Sequence, residues 1–142
     1  MKTNVLTNGW SPVQDQKLNE NGNSPSRNET LKAGTLFANY PGTYRTEDGG
    51  SYYKFRFVEL YGGKFEIDIL DQPSYRGRDE GYTVAHRLPS ARGGLKICVT
   101  AGREPASLHE AHKLAMGWAE LTNTYIKSGT TIDTQIERNA RR

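Results

Sequence analysis

Two Gly-Gly pairs, Gly62-Gly63 and Gly93-Gly94, separate segments in which apolar and polar residues alternate, and a capped amphipathic pattern follows from Ser107. No other feature restricts the fold as strongly. Side chains on a strand alternate between faces, so Tyr53, Phe55 and Phe57 point one way and Lys54, Arg56 and Val58 the other. Gly62-Gly63 reverses the chain, because both glycines accept the positive φ of a tight hairpin turn. The returning strand puts Phe65, Ile67 and Ile69 inward and Lys64, Glu66 and Asp68 outward. A third strand is expected over Tyr82–Leu88, with Tyr82, Val84, His86 and Leu88 on one face and Pro89 ending it. Beyond Arg92-Gly93-Gly94, a fourth strand offers Leu95, Ile97 and Val99 inward and Lys96 and Cys98 outward. A short edge strand is expected around Thr35–Ala38.

The helix has a readable start and stop. Ser107 and Glu110 form an S-x-x-E capping box, and Gly129 suits the left-handed residue that closes a helix. Leu108, Ala111, Ala115, Trp118, Thr122 and Tyr125 make one apolar stripe, widened by Leu114, Leu121 and Ile126. The expected fold class is therefore α+β. It is a four-stranded antiparallel meander packed against one C-terminal amphipathic helix in two layers, over residues 34–129. The width of the stripe, and Tyr52, Val58 and Leu60 on the outer sheet face, leave room for a homodimer. Residues 130–142 read as a polar, basic tail in which a short helix fits, with Ile132 and Ile136 one turn apart.

Residues 1–33 are rich in Asn, Ser, Gly and Pro and too poor in apolar groups to offset the entropy of ordering; they read as a flexible polar arm. Trp10 stands out there, either tucked against the domain or serving as the anchor of a partner contact. Cys98 is the sole cysteine of 142 residues, so no intrachain disulfide forms. No apolar run reaches membrane-spanning length, and Met1–Trp10 lacks the apolar stretch of a signal peptide. The expectation is a cytoplasmic protein with no membrane association.

No catalytic signature is present. His109 and His112 are three apart on the helix rather than in an H-E-x-x-H pattern, and Glu110 is explained by the cap, so no metal or other cofactor is expected. Cys98 is a nucleophile by type alone, with Lys96 beside it and no histidine adjacent in the chain. The alternation turns His86 toward the core. Asp68, Asp71, Asp79 and Glu80 show no spacing that selects an acid–base pair.

Charge is more informative. The net charge is only +3, yet residues 73–103 hold six basic residues against two acidic ones, while residues 43–72 hold four against six. Aromatic groups interleave with the cations of the positive stretch. Arg56, Tyr75, Arg76, Arg78, Tyr82, Arg87, Arg92 and Lys96 are thus candidates for binding nucleic acid or phosphate, with Arg56, Arg87 and Lys96 sharing the outer face of the sheet. The ordinary alternative is a solvated face on which the cations pair with Glu66 and Asp68. These readings favour a small non-enzymatic binding module for single-stranded nucleic acid. The order of elements, a meander and then one helix, is similar to that of some single-strand DNA binders, although none of their motifs occurs. Second comes a protein-binding adaptor or inhibitor of the phage or mobile-element type, engaging its partner through the N-terminal arm and an edge strand. Third comes a binder of a nucleotide-sized ligand, with Arg76, Arg78, Arg87 and Tyr82 around a phosphate.

Overall fold

A computed structural model describes residues 36–141. They form an antiparallel sheet of β1 (Leu36–Arg45), β2 (Tyr52–Leu60), β3 (Phe65–Asp71), β4 (Arg87–Pro89) and β5 (Leu95–Ile97), with helices α1 (Tyr82–Ala85), α2 (Leu108–Ser128) and α3 (Ile132–Ala140). The α+β class agrees with the sequence. The arm and Trp10 lie outside the described residues.

Three details differ from a four-stranded meander with one helix. First, the edge strand is not a short stub but the ten-residue β1, paired with β2 from Leu36↔Leu60 to Arg45↔Tyr52. Pro41 and Gly42 hide it in the sequence. A proline is tolerated there because β1 is the last strand on that side. Second, Tyr82–Leu88 is not one strand. Tyr82–Ala85 winds into a helical turn, His86 takes left-handed backbone angles (φ 57, ψ 47), and only Arg87–Pro89 enters the sheet. The strand order is β1-β2-β3-β5-β4, so β5 inserts beside β3 and β4 forms the far edge. Third, the chain past Gly129 forms α3, capped by the Thr131 hydroxyl accepting from the Thr134 N–H and anchored by buried Ile132.

The core lies between the sheet and α2. Tyr53, Phe55, Phe57 and Ile67 bury their side chains against Ala111, Ala115, Trp118 and Ala119, as the stripe requires. The alanines let α2 lie close to the sheet, and Trp118 fills the space that remains. Its ring meets Tyr53 and Phe55 edge-on, with centroids 5.8 and 6.1 Å away. Its indole N–H donates to the Ala85 carbonyl at 3.0 Å, which fixes α1 against α2. Two further bonds tie the long connection after β3 to the end of α2. The Tyr125 hydroxyl donates to the Asp79 carbonyl at 2.7 Å, and Arg78 Nε donates to the Ile126 carbonyl at 3.2 Å.

His112, at the border of the stripe, is buried edge-on to Phe57 with centroids 4.4 Å apart. Burial, with a smaller contribution from His109, pushes its pKa down to about 4. Val58 and Leu60, expected on an exposed outer face, are buried, whereas Tyr52 is exposed.

Candidate functional site: a cleft around Cys98

The basic residues singled out in the sequence do not converge. On the outer sheet face, Arg56 Nε donates to Asp68 Oδ2 at 3.1 Å. Arg92 reaches across from the β4–β5 turn to Asp68 Oδ2 at 2.7 Å and Glu66 Oε1 at 2.7 Å, and Lys96 Nζ lies 3.0 Å from Glu66 Oε2. Asp68 also accepts from the Ser90 hydroxyl at 2.7 Å and is only 1% exposed. Burial alone would raise both carboxyls. The Arg92 hydrogen bonds outweigh it, with Ser90 and Arg56 acting on Asp68 and Lys96 on Glu66, and hold both below the ordinary range. Three cations are thus spent on two buried or half-buried acids. The ordinary pairing with Glu66 and Asp68 is what forms.

Arg87 is not on that face. The β4–β5 register sets it opposite buried Ile97, on the helix side, at 7% exposure. Its guanidinium lies 4.8 Å from the centre of the Tyr75 ring and donates to Gln72 Oε1 at 3.0 Å and the Glu80 carbonyl at 3.2 Å. Tyr75, at 4% exposure, has no face to offer a base. Arg78 closes the end of α2. Arg76 and Tyr82 are exposed, with Arg76 in a left-handed turn (φ 55).

Arg87 lines a shallow hollow of about 310 Å³ with Leu70, Gln72 and Leu95, while a larger concavity lies elsewhere, between the end of β5, α2 and α3. It is a cleft of about 460 Å³ that none of the eight proposed binding residues lines. Its floor is apolar, built from Ile97, Val99, Leu114, Trp118 and Ile132, and its walls carry His86, Cys98, Arg103 and Lys113. Cys98 sits one residue past β5 with its thiol exposed, and its N–H donates to the His86 carbonyl at 2.9 Å. The same ladder therefore brings the cysteine and the histidine side by side.

His86 does not turn into the core as the alternation suggested, because the helical turn before it and its positive φ swing it out of register. The half-buried ring places Nε2 2.7 Å from Asp133 Oδ1, in the first turn of α3. An ionised carboxylate only accepts, so Nε2 carries a proton, and in the neutral ring the lone pair is then on Nδ1. A carboxylate at a helix N-terminus is itself favoured by the helix dipole. The left-handed backbone angles of His86 close α1, and its N–H donates to the Tyr82 carbonyl as the helix cap.

Lys96, expected beside the thiol, is committed to Glu66 instead. The cations lining the cleft are Arg103, on the turn after β5, and Lys113, on α2, and neither has an ion-pair partner among the described residues. The combination of thiol, histidine and carboxylate is invisible in the sequence, because its members come from the segment just past β5, the α1–β4 junction and α3. Among the described residues no group of three or more His, Cys, Asp or Glu is placed to hold a metal ion, and no helix is long and apolar enough to cross a membrane. No family model matches the chain, and neither a curated protein nor a solved structure matches it.

Proposed function

We propose that the protein works through this cleft and that Cys98 is its reactive group, a thiol nucleophile served by His86 and oriented through Asp133. The observation that carries the reading is that an exposed thiol and a half-buried histidine line one cleft, with a carboxylate bonded to Nε2 of that histidine. Covalent catalysis needs a nucleophile, a base and a third group that orients the base, and the reading assigns these roles to Cys98, His86 and Asp133. The chemistry that fits is acyl transfer. His86 Nδ1 takes the thiol proton as Sγ attacks the carbonyl carbon of an ester or thioester. The S–C bond forms, the bond to the leaving group breaks, and that group departs with the proton from His86. Arg103 and Lys113 line the same cleft and favour the negative charge that develops on the carbonyl oxygen.

The test uses p-nitrophenyl acetate. The expected result is a stoichiometric burst of nitrophenolate, an adduct of one acetyl group on Cys98 by intact mass, and its release by hydroxylamine. The His86→Asn variant, whose side chain tolerates positive φ, lowers the burst rate by at least about a hundredfold, at the low end of what a general base supplies. A burst that survives unchanged in His86→Asn, or none in the folded wild type, overturns the assignment.

The reading as a single-stranded nucleic-acid binder has lost most of its face, since Arg56, Arg87, Arg92, Lys96 and Tyr75 are engaged within the fold. It now rests on Arg76, Arg78 and Tyr82, with Arg76 and Tyr82 exposed near the start of α1. It predicts oligonucleotide binding that weakens steeply with salt and with Arg76→Ala/Arg78→Ala.

A further inference from the structure

We infer that the cleft receives a segment of a partner protein that presents apolar side chains together with spaced carboxylates. This rests on the cleft being the working surface, and it adds the class of molecule admitted there. The floor runs across three elements, from Ile97 on β5 over Leu114 and Trp118 on α2 to Ile132 on α3. Ile136, on the next turn of α3, stands 48% exposed at the mouth, an apolar group that a ligand would cover. A volume of about 460 Å³ is in the range that takes a short stretch of chain.

The charge of the walls selects the partner. Asp133 is committed to His86, and Glu137, beside Ile136, is paired with Arg141 at 3.4 Å. Arg103 and Lys113 have no acidic partner among the described residues, in contrast to Arg56, Arg87, Arg92 and Lys96, each of which has one. Among the described residues the cleft therefore offers two cations free of ion pairs beside an apolar floor. The two cations come from different elements, a turn and a helix. A ligand must present anionic groups at more than one point along an apolar body, which an amphiphile with a single head group does not do and a chain with spaced Asp or Glu does. A polynucleotide would supply the charge, but it would meet aliphatic side chains and a buried indole rather than open aromatic faces for its bases.

The experiment is fluorescence anisotropy on the full chain carrying Cys98→Ser, so that docking is scored without covalent capture. The probes are a labelled peptide of alternating Leu/Ile and Glu, the same peptide with Lys for Glu, a labelled laurate, and an oligothymidylate. The expected result is saturable binding of the Glu peptide at least tenfold tighter than the Lys peptide. That preference is abolished or reversed by Arg103→Glu/Lys113→Glu and weakened severalfold by Ile136→Asp, with circular dichroism showing each variant folded. Equal affinity for the two peptides, indifference to the double charge reversal, or tighter binding of laurate or the oligonucleotide overturns it. Failure here with Cys98 still acylated leaves the thiol reading standing. Charge-selective docking with no acylation of the wild type removes the thiol reading alone.

Discussion

The outer face of the sheet and the cleft beside α2 are built from similar kinds of side chain and use them in opposite ways. On the outer face Arg56, Arg92 and Lys96 converge on Glu66 and Asp68 until little charge is left to offer a ligand. In the cleft, Arg103 and Lys113 have no ion-pair partner among the described residues, the thiol is exposed, and the contact of His86 with Asp133 engages only one nitrogen of the ring. Cations clustered in sequence therefore say little about where charge is available; that depends on which acids the register places opposite them. Lys96 shows this directly, since the Asp68↔Lys96 pairing sets it beside the acids of β3.

Substitutions can break the contrast or sharpen it. The largest effect is expected at Trp118, which belongs both to the core and to the cleft floor. Trp118→Ala should cost about 4 kcal/mol in chemical denaturation, as large aromatic truncations do, and should also hollow out the floor of the cleft. Next comes Asp68→Ala, which strands Arg92 and Arg56 beside a hole and should cost about 3 kcal/mol, while thiol reactivity stays at the wild-type level in the folded protein. Loss of reactivity in Asp68→Ala would mean the two regions are not independent.

A third expectation concerns pH. His112 is kept neutral by burial, so its folded pKa of about 4 lies below the ordinary value of about 6.5. The unfolded state binds the extra proton, and the stability this residue contributes is fully present above pH 6.5 and lost as pH falls toward 4. The loss should reach about 2–3 kcal/mol and disappear in His112→Phe. Glu66 and Asp68 titrate later. Their pKa values are depressed, so their contribution persists down to roughly pH 4 and fails as the solution becomes more acid. The smallest effect is at Cys98, where exchange for Ser should leave stability within about 0.5 kcal/mol, because the side chain is exposed.

Much of the fold was legible because it follows local rules. The period of two in Tyr53–Phe57 and Phe65–Ile69, the Gly62-Gly63 turn and the Ser107–Glu110 cap all express themselves within a few residues, and each agrees with the structure. β1 was hidden by Pro41-Gly42, which read as loop unless the strand is known to be an edge. The Tyr82–Leu88 segment alternates like a strand but is overridden by tertiary contacts, Trp118 holding the Ala85 carbonyl and Tyr125 the Asp79 carbonyl. That override creates the positive φ of His86 and turns its ring toward the cleft. The candidate site was hidden for the same reason. Cys98 lacks a histidine beside it in the chain, and only the β4–β5 ladder and the return of α3 supply His86 and Asp133.

The most direct measurement is the second-order rate of alkylation of Cys98 by iodoacetamide at neutral pH, followed by intact mass in the wild type, His86→Asn and Asp133→Asn, each verified folded. The account predicts a wild-type rate at least about tenfold above that of the same thiol in the denatured chain, falling toward the denatured value in His86→Asn and part of the way in Asp133→Asn. A wild-type rate equal to the denatured one, or three folded proteins reacting alike, would contradict the claim that the cleft activates its cysteine.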